Sequence, residues 1–107
     1  MNKSNEIYRQ GDVLLRRVAS IPAGAKEVAR DQGRVVLAYG EVTGHAHAIV
    51  DEGAVLLSVA ESATFLRLTK GARLIHEEHA TIALPAGDYQ VVRQREYRPW
   101  GEVRVAD

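Results

Sequence analysis

The chain has 107 residues, 46% of them hydrophobic, and its 14 Lys and Arg residues balance its 14 Asp and Glu residues. This length supports a single domain over residues 1–107 whose core needs no disulfide or structural metal, and a zero net charge argues against a dedicated nucleic-acid-binding protein. Because the chain contains no Cys, disulfides, thiolate metal sites and Cys nucleophiles are excluded.

The hydropathy of the chain indicates the cellular location of the protein. The first twelve residues are polar and lack the apolar stretch of a signal peptide, and no apolar run approaches the roughly 20 residues of a membrane span. We therefore expect a cytoplasmic protein with no membrane or nucleic-acid partner. Residues 1–6 and 106–107 are expected to fray.

In chain order, turn signals separate a series of short apolar or β-branched runs. Each run is a predicted strand, and the runs are residues 12–18, 34–42, 45–50, 54–59, 64–68, 73–77, 80–84, 89–93 and 103–105. The turns recur at roughly the 8–12-residue spacing of β-sandwiches and barrels, and no stretch keeps helical apolar spacing over three turns. The sequence therefore predicts an all-β domain of about eight short, mostly antiparallel strands. A small barrel or a jelly-roll-like sandwich is favoured, because both protect sheet edges.

The segment 20–33 is predicted to be the longest irregular connection. It contains Pro22, Gly24 and Gly33 together with several charges. Ala23–Arg30 is the best helix candidate of the chain, but it is short and contains a glycine. We therefore expect turns in this segment and no regular element.

All four histidines of the chain lie in two short clusters. The first cluster is His45-Ala46-His47. Because residues i and i+2 of a strand point to the same face, His45 and His47 are predicted to project side by side, as two imidazoles that share a metal ion must.

The second cluster is the HEEH segment, residues 76–79. In a regular strand His76 would share a face with Glu78, and His79 with Glu77. A turn near Glu78 would change this and bring His79 round. We expect His76 or His79 to come within metal-sharing distance of the first cluster.

Imidazole and carboxylate ligands together suit Zn, Fe, Mn, Ni or Cu. The two clusters therefore predict a divalent metal cofactor held by His45 and His47 together with His76 or His79. Three protein ligands with one open position would be the catalytic form of such a site. The alternative is that these histidines are exposed polar residues on strands.

Residues 40–53 (GEVTGHAHAIVDEG) resemble the first motif of the cupin family, which has a Gly, a His-x-His pair on a strand, an acidic ligand and a second Gly. Residues 82–90 (IALPAGDYQ) resemble the second motif, in which Pro-x-Gly precedes a ligand His. The resemblance implies a small β-barrel with a divalent metal ion inside. Asp51 stands at the acidic position and Gln90 at the second-motif His position, so a histidine of the second cluster would have to complete the ligand set.

The chain also resembles small uncharacterised bacterial and phage proteins that share its GEVTGHAH, HEEH and QREY segments, and this resemblance implies no activity. Gln90, Arg95 and Tyr97 are candidate ligand contacts. Arg95 could bind an anionic ligand bidentately or pair with acidic surface residues, and Tyr97 could line a pocket or pack in the core.

Three functions remain open at this point. The first is a cupin-like metal-binding domain that could act on a small molecule. The second is a non-catalytic binding or assembly module, either a homo-oligomer or a phage-type structural or accessory protein. The third is a barrel that binds a small polar ligand without metal.

Overall fold

The computed structural model describes residues 6–40, 44–60 and 63–94, and the regular structure in these ranges is all β-strand. The strands are β1 (Ile7–Gln10), β2 (Val13–Val18), β3 (Lys26–Val28), β4 (Val35–Tyr39), β5 (Ala46–Ile49), β6 (Ala54–Val59), β7 (Ala63–Leu68), β8 (Ala72–Leu74), β9 (Ile82–Leu84) and β10 (Gly87–Arg93). The all-β prediction is confirmed, with ten strands in the described ranges instead of about eight.

The predicted strands 12–18, 34–42 and 45–50 correspond to β2, β4 and β5. The predicted strand 103–105 lies outside the described residues, as do residues 1–5 and 106–107. Within the described ranges, no helix is long and apolar enough to cross a membrane.

The strands form one six-stranded antiparallel sheet and two hairpins. The sheet has the order β1-β2-β10-β7-β6-β3, and the hairpins pair β4 with β5 and β8 with β9. An antiparallel bridge between Ala48 and Ile75 joins the two hairpins. No pairing among the described strands closes the large sheet into a ring, so the closed barrel stays a prediction.

The core lies between one face of the six-stranded sheet and the two hairpins. Leu15, Leu66 and Tyr89 come from the sheet, Ile49 and Leu84 come from the hairpins, and all five are almost completely buried. Removal of a Leu or Ile side chain from water contributes roughly 1.5–3 kcal/mol. The hydrophobic core therefore fixes the hairpins, and β5 with them, against the large sheet.

The prediction of an irregular segment over residues 20–33 is corrected by β3. This strand pairs antiparallel with β6 at one edge of the sheet, with Val28 opposite Leu56. All three of its residues are exposed, so backbone hydrogen bonds to β6 hold the strand and no apolar periodicity marks it in the sequence. A turn followed by β3 stands where Ala23–Arg30 was the helix candidate.

Candidate metal centre

The structure brings His45, His47, His76 and His79 together, and we call these four residues the histidine cluster. The ring centroids of His47 and His76 are 4.3 Å apart, those of His76 and His79 4.6 Å, and those of His45 and His76 5.7 Å. The ring of His76 therefore contacts the other three. The two histidine segments of the sequence therefore meet in space.

Backbone pairing between β5 and Ile75, the residue after β8, places the second segment beside the first. The Ala48 amide donates to the Ile75 carbonyl at 3.0 Å, and the Ile75 amide donates to the Ala48 carbonyl at 2.9 Å. Two residues further along, the Ala46 amide donates to Glu77 Oε1 at 2.9 Å. A side-chain carboxylate thus takes the place that the next backbone carbonyl would have in an antiparallel ladder. This contact fixes the Glu77 carboxylate at the histidine cluster.

After His76 the chain leaves the extended conformation, and this change directs the His79 side chain towards His47 and His76. Residues 77–79 form a bend, and the His79 ring stacks on His47 with centroids 5.8 Å and planes 17° apart. Inside the bend, the Glu78 amide donates to His76 Nδ1 at 3.0 Å. The turn near Glu78, one of the two alternatives for this segment, is the one present.

Two members of the cluster and the adjacent Glu77 have the spacing of metal ligands, and we call His45, His76 and Glu77 the triad. Each residue offers one ligand atom, and the three atoms lie within 4.8 Å of one another. The hydrogen bond from the Ala46 amide is the main cause that lowers the pKa of Glu77, so this carboxylate is ionised at neutral pH. None of the three is buried, so solvent reaches the triad.

His47 is the buried member of the cluster, with 3% of its surface exposed. Its Nδ1 lies 2.8 Å from Gln10 Oε1, and its Nε2 lies 3.5 Å from Asp12 Oδ1. Burial, followed by the charge of His76, lowers the pKa of His47, and Asp12 opposes this only in part. The ring is therefore neutral at pH 7, which is the form in which imidazole binds metals.

The turn between β1 and β2, which belong to the large sheet, contacts the histidine cluster. Asp12 Oδ2 accepts a hydrogen bond from Arg93 Nε at 2.9 Å. Burial raises the pKa of Asp12, but the bond and the charge of Arg93 outweigh burial and lower it overall. Gly11 has a φ of 59°, and a Cβ on it would lie 2.7 Å from His79 Nε2. The positive φ and the close approach of the His79 ring both favour glycine at this position.

Gln10, Asp12 and Glu77 are site residues that the sequence did not indicate. In the sequence, Asp12 is only the first residue of the predicted strand 12–18, and Glu77 is only the residue that would share a strand face with His79. The available signal was Gln10 itself, because a Gln at the end of a strand that packs on the core must find hydrogen-bond partners.

Among the described residues, two cavities border the triad. The larger measures about 360 Å³, within the range of small-molecule sites. Its lining is Asp31, Gln32, Arg34, Tyr39, Gly40, Gly44, His45 and Ala46. The smaller measures about 180 Å³, shares Arg34 and Ala46 with the larger, and reaches His76 and Glu77. The triad is therefore bordered by space that a small molecule can enter.

The other candidate residues lie away from the cluster or outside the described ranges. Gln90 follows the buried Tyr89 on β10, so its side chain points to the opposite face of the sheet, where it accepts a hydrogen bond from Arg16. Asp51 accepts a hydrogen bond from the Arg73 amide at 3.2 Å. Arg95 and Tyr97 lie outside the described residues.

Comparison with known proteins identifies one family. The family described as "Domain of unknown function (DUF8820)" matches residues 9–94, a span that contains the whole histidine cluster and the β1–β2 turn. No curated protein and no solved structure matches the chain significantly. Since the family match extends over most of the 107 residues, the chain belongs to the DUF8820 family.

Proposed function

We propose that this protein binds a divalent metal ion through the triad, His45, His76 and Glu77. The observation that carries the proposal is the separation of at most 4.8 Å between the three ligand atoms. Two imidazoles and one carboxylate form a ligand set used for Fe(II) and for catalytic Zn²⁺, and Mn, Ni and Cu accept the same donor atoms. Three protein ligands leave coordination positions open for water or a second molecule.

The surroundings of the triad support the proposal. The Ala46 amide holds Glu77 in place and keeps it ionised, so one negative charge is already in position for a cation. His47 and His79 add two more imidazoles in ring contact with His76. Nitrogen donors are thus concentrated around the position that an ion would take, which also agrees with the cupin-like resemblance of residues 40–53.

We further propose that a small polar molecule reaches this ion through the larger cavity. That cavity borders His45, and Arg34 lines both it and the smaller cavity beside His76 and Glu77. A guanidinium group in this place favours a ligand with an anionic group, such as a carboxylate.

The test is the metal content of the protein purified without a His tag, measured by inductively coupled plasma mass spectrometry after incubation with Zn²⁺ or Fe²⁺ and dialysis. We expect the protein to retain metal, and His45→Ala and Glu77→Gln each to lose one ion per chain relative to it. Glu52→Gln is the matched control, because Glu52 is 93% exposed and contacts Lys70. This control should retain the full metal content.

A folded Glu77→Gln protein with undiminished metal content would contradict the proposal. A wild-type protein that binds neither ion would overturn it and favour the binding or assembly module. Light scattering would then test that alternative through the oligomeric state.

A further inference from the structure

Gln10 connects the large sheet to both ends of the segment that carries two of the triad residues. It is the last residue of β1 and is 3% exposed. Its Nε2 donates to the carbonyls of Leu74 and Ala80, both at 2.9 Å. These two residues flank the segment 75–79, so a single carboxamide holds the chain immediately before and immediately after the segment.

The orientation of the Gln10 carboxamide follows from its surroundings. Backbone carbonyls can only accept hydrogen bonds, so Nε2, which carries both amide protons, must face them. Oε1 then lies 2.8 Å from His47 Nδ1, and the His47 ring contacts the His76 ring with centroids 4.3 Å apart. Both polar atoms of this buried side chain therefore have partners, and every partner lies in or beside the histidine cluster.

The distances within the triad depend on how the segment 75–79 is held, because the triad residues come from the connections of two different hairpins. At one end, Ile75 is fixed by its bridge to Ala48. At the other end the chain bends, and the hydrogen bond from Gln10 to the Ala80 carbonyl fixes it where the bend ends. Ligands that are held in place before an ion binds give a higher affinity, because less conformational entropy is lost on binding.

We propose that Gln10 is a positioning residue for the metal site, which fixes the segment 75–79 so that the triad is formed before an ion binds. This inference rests on the proposed function, since it assigns Gln10 a role in the same site. Gln10 is not a member of the triad. Its replacement should therefore weaken metal binding without removing a ligand.

The first experiment measures the dissociation constant of Zn²⁺ by isothermal titration calorimetry. We expect Gln10→Met, which keeps a side chain of similar length without the carboxamide, to bind Zn²⁺ about 10–100-fold more weakly at unchanged stoichiometry, the usual effect of removing a group that orients metal ligands. Tyr89→Phe is the matched control, because it also removes a hydrogen bond from a buried side chain, to the Pro85 carbonyl. The control should bind Zn²⁺ as tightly as the wild type.

The second experiment measures ¹⁵N relaxation in the metal-free protein. In the wild type and in Tyr89→Phe, we expect the backbone amides of residues 76–79 to have order parameters near 0.85, the usual value of a rigid backbone, and in Gln10→Met values below about 0.6. In the wild type, the side-chain amide of Gln10 should also be ordered. The side-chain amide of the exposed Gln94 is the reference and should be mobile.

The outcomes separate this inference from the proposed function. If the wild type binds Zn²⁺ and Gln10→Met binds it equally tightly, or Tyr89→Phe loses as much affinity, Gln10 is not a positioning residue and the proposed function stands alone. If Gln10→Met does not fold, a Gln10 side chain as mobile as that of Gln94 in the wild type would still overturn the inference. If the wild type binds no metal, the proposed function fails, and a loss of order restricted to Gln10→Met would still support the fixing of residues 75–79 by Gln10.

Discussion

His47 shows how burial sets the pH response of a single side chain. Its pKa lies below the usual value of about 6.5 because burial and the charge of His76 outweigh the attraction of Asp12. At pH values below about 6.5, the unfolded chain therefore binds more protons at this position than the folded chain does. The stability that neutral His47 contributes is present above that pH and lost as the pH falls below it.

We expect the free energy of unfolding of the metal-free protein to decrease between about pH 7 and about pH 5.5, the window below the ordinary His pKa. Urea titration at a series of pH values measures it. His47→Gln should show a smaller decrease over the same window, because it removes one of the titrating groups. A free energy of unfolding that increases as the pH falls through this window would contradict the lowered pKa.

Tyr89 is a polar residue held within the apolar core. Its hydroxyl donates to the Pro85 carbonyl at 2.6 Å, and burial raises its pKa to about 12. We expect Tyr89→Phe to lower the free energy of unfolding by about 1 kcal/mol, measured by urea titration, with unchanged metal content. Tyr39→Phe is the control, because Tyr39 is exposed. Equal losses of unfolding free energy in the two variants would contradict a specific stabilising role for the hydrogen bond from Tyr89 to the Pro85 carbonyl.

At the scale of elements, the bend at residues 77–79 links metal binding to the backbone. The Glu78 amide donates to His76 Nδ1, so the neutral ring holds its proton on Nε2. A metal ion that binds Nδ1 displaces the Glu78 amide. A metal ion that binds Nε2 leaves the ring proton on Nδ1, which can then no longer accept a hydrogen bond from this amide. The Glu78 amide loses its acceptor in both cases.

We therefore expect Zn²⁺ to shift the Glu78 amide resonance in ¹H–¹⁵N correlation spectra. The Thr69 amide, which donates to the Gly53 carbonyl at 2.9 Å, serves as the internal control and should not move. If metal binds and the Glu78 resonance stays in place, His76 is not a ligand.

The strands show what the sequence could predict. β2, β5, β6 and β7 match predicted runs because burial selects apolar residues, and that selection is visible along the chain. β3 shows no apolar pattern in the sequence, because its residues are exposed and pair with β6 through the backbone alone. The meeting of the histidine segments could be anticipated because strand alternation fixes the side on which His45 and His47 project.

The remainder of the site depends on packing between distant elements. Gln10 is 37 positions from His47, and no local period relates the β1–β2 turn to the β4–β5 hairpin. Gln90 is the opposite case. Its position in the cupin-like second motif predicted a ligand contact at the site, whereas strand alternation directs its side chain to the other face of the sheet. Sequence patterns assign faces within an element, and only the core determines which faces meet.

At the scale of the whole molecule, most of the histidine cluster lies outside the hydrophobic core. The core draws its residues from the large sheet and both hairpins, and of the four histidines only His47 is buried. Loss of metal binding should therefore leave the fold in place.

We expect the double variant His45→Ala, His47→Ala to bind no metal and to keep the circular dichroism spectrum and cooperative urea unfolding of the wild type. Gln10 Oε1 would lose its partner, at a cost of about 1–3 kcal/mol, which is smaller than a typical total stability of about 5–15 kcal/mol. An unfolded double variant would show that the site is part of what holds the domain together. Full metal retention would show that these histidines are not ligands.

The position of Gln10 has a consequence for the motions of the protein. Among the described strands, β1 pairs only with β2 and forms one edge of the six-stranded sheet, where local opening generally requires the least free energy. Yet its last residue is bonded to carbonyls 64 and 70 positions away along the chain and to the ring of His47, which contacts His76 of the triad. The amide hydrogens of β1 should therefore exchange with solvent more slowly when metal is bound. The exchange rate of this edge strand would then report whether the metal site is occupied.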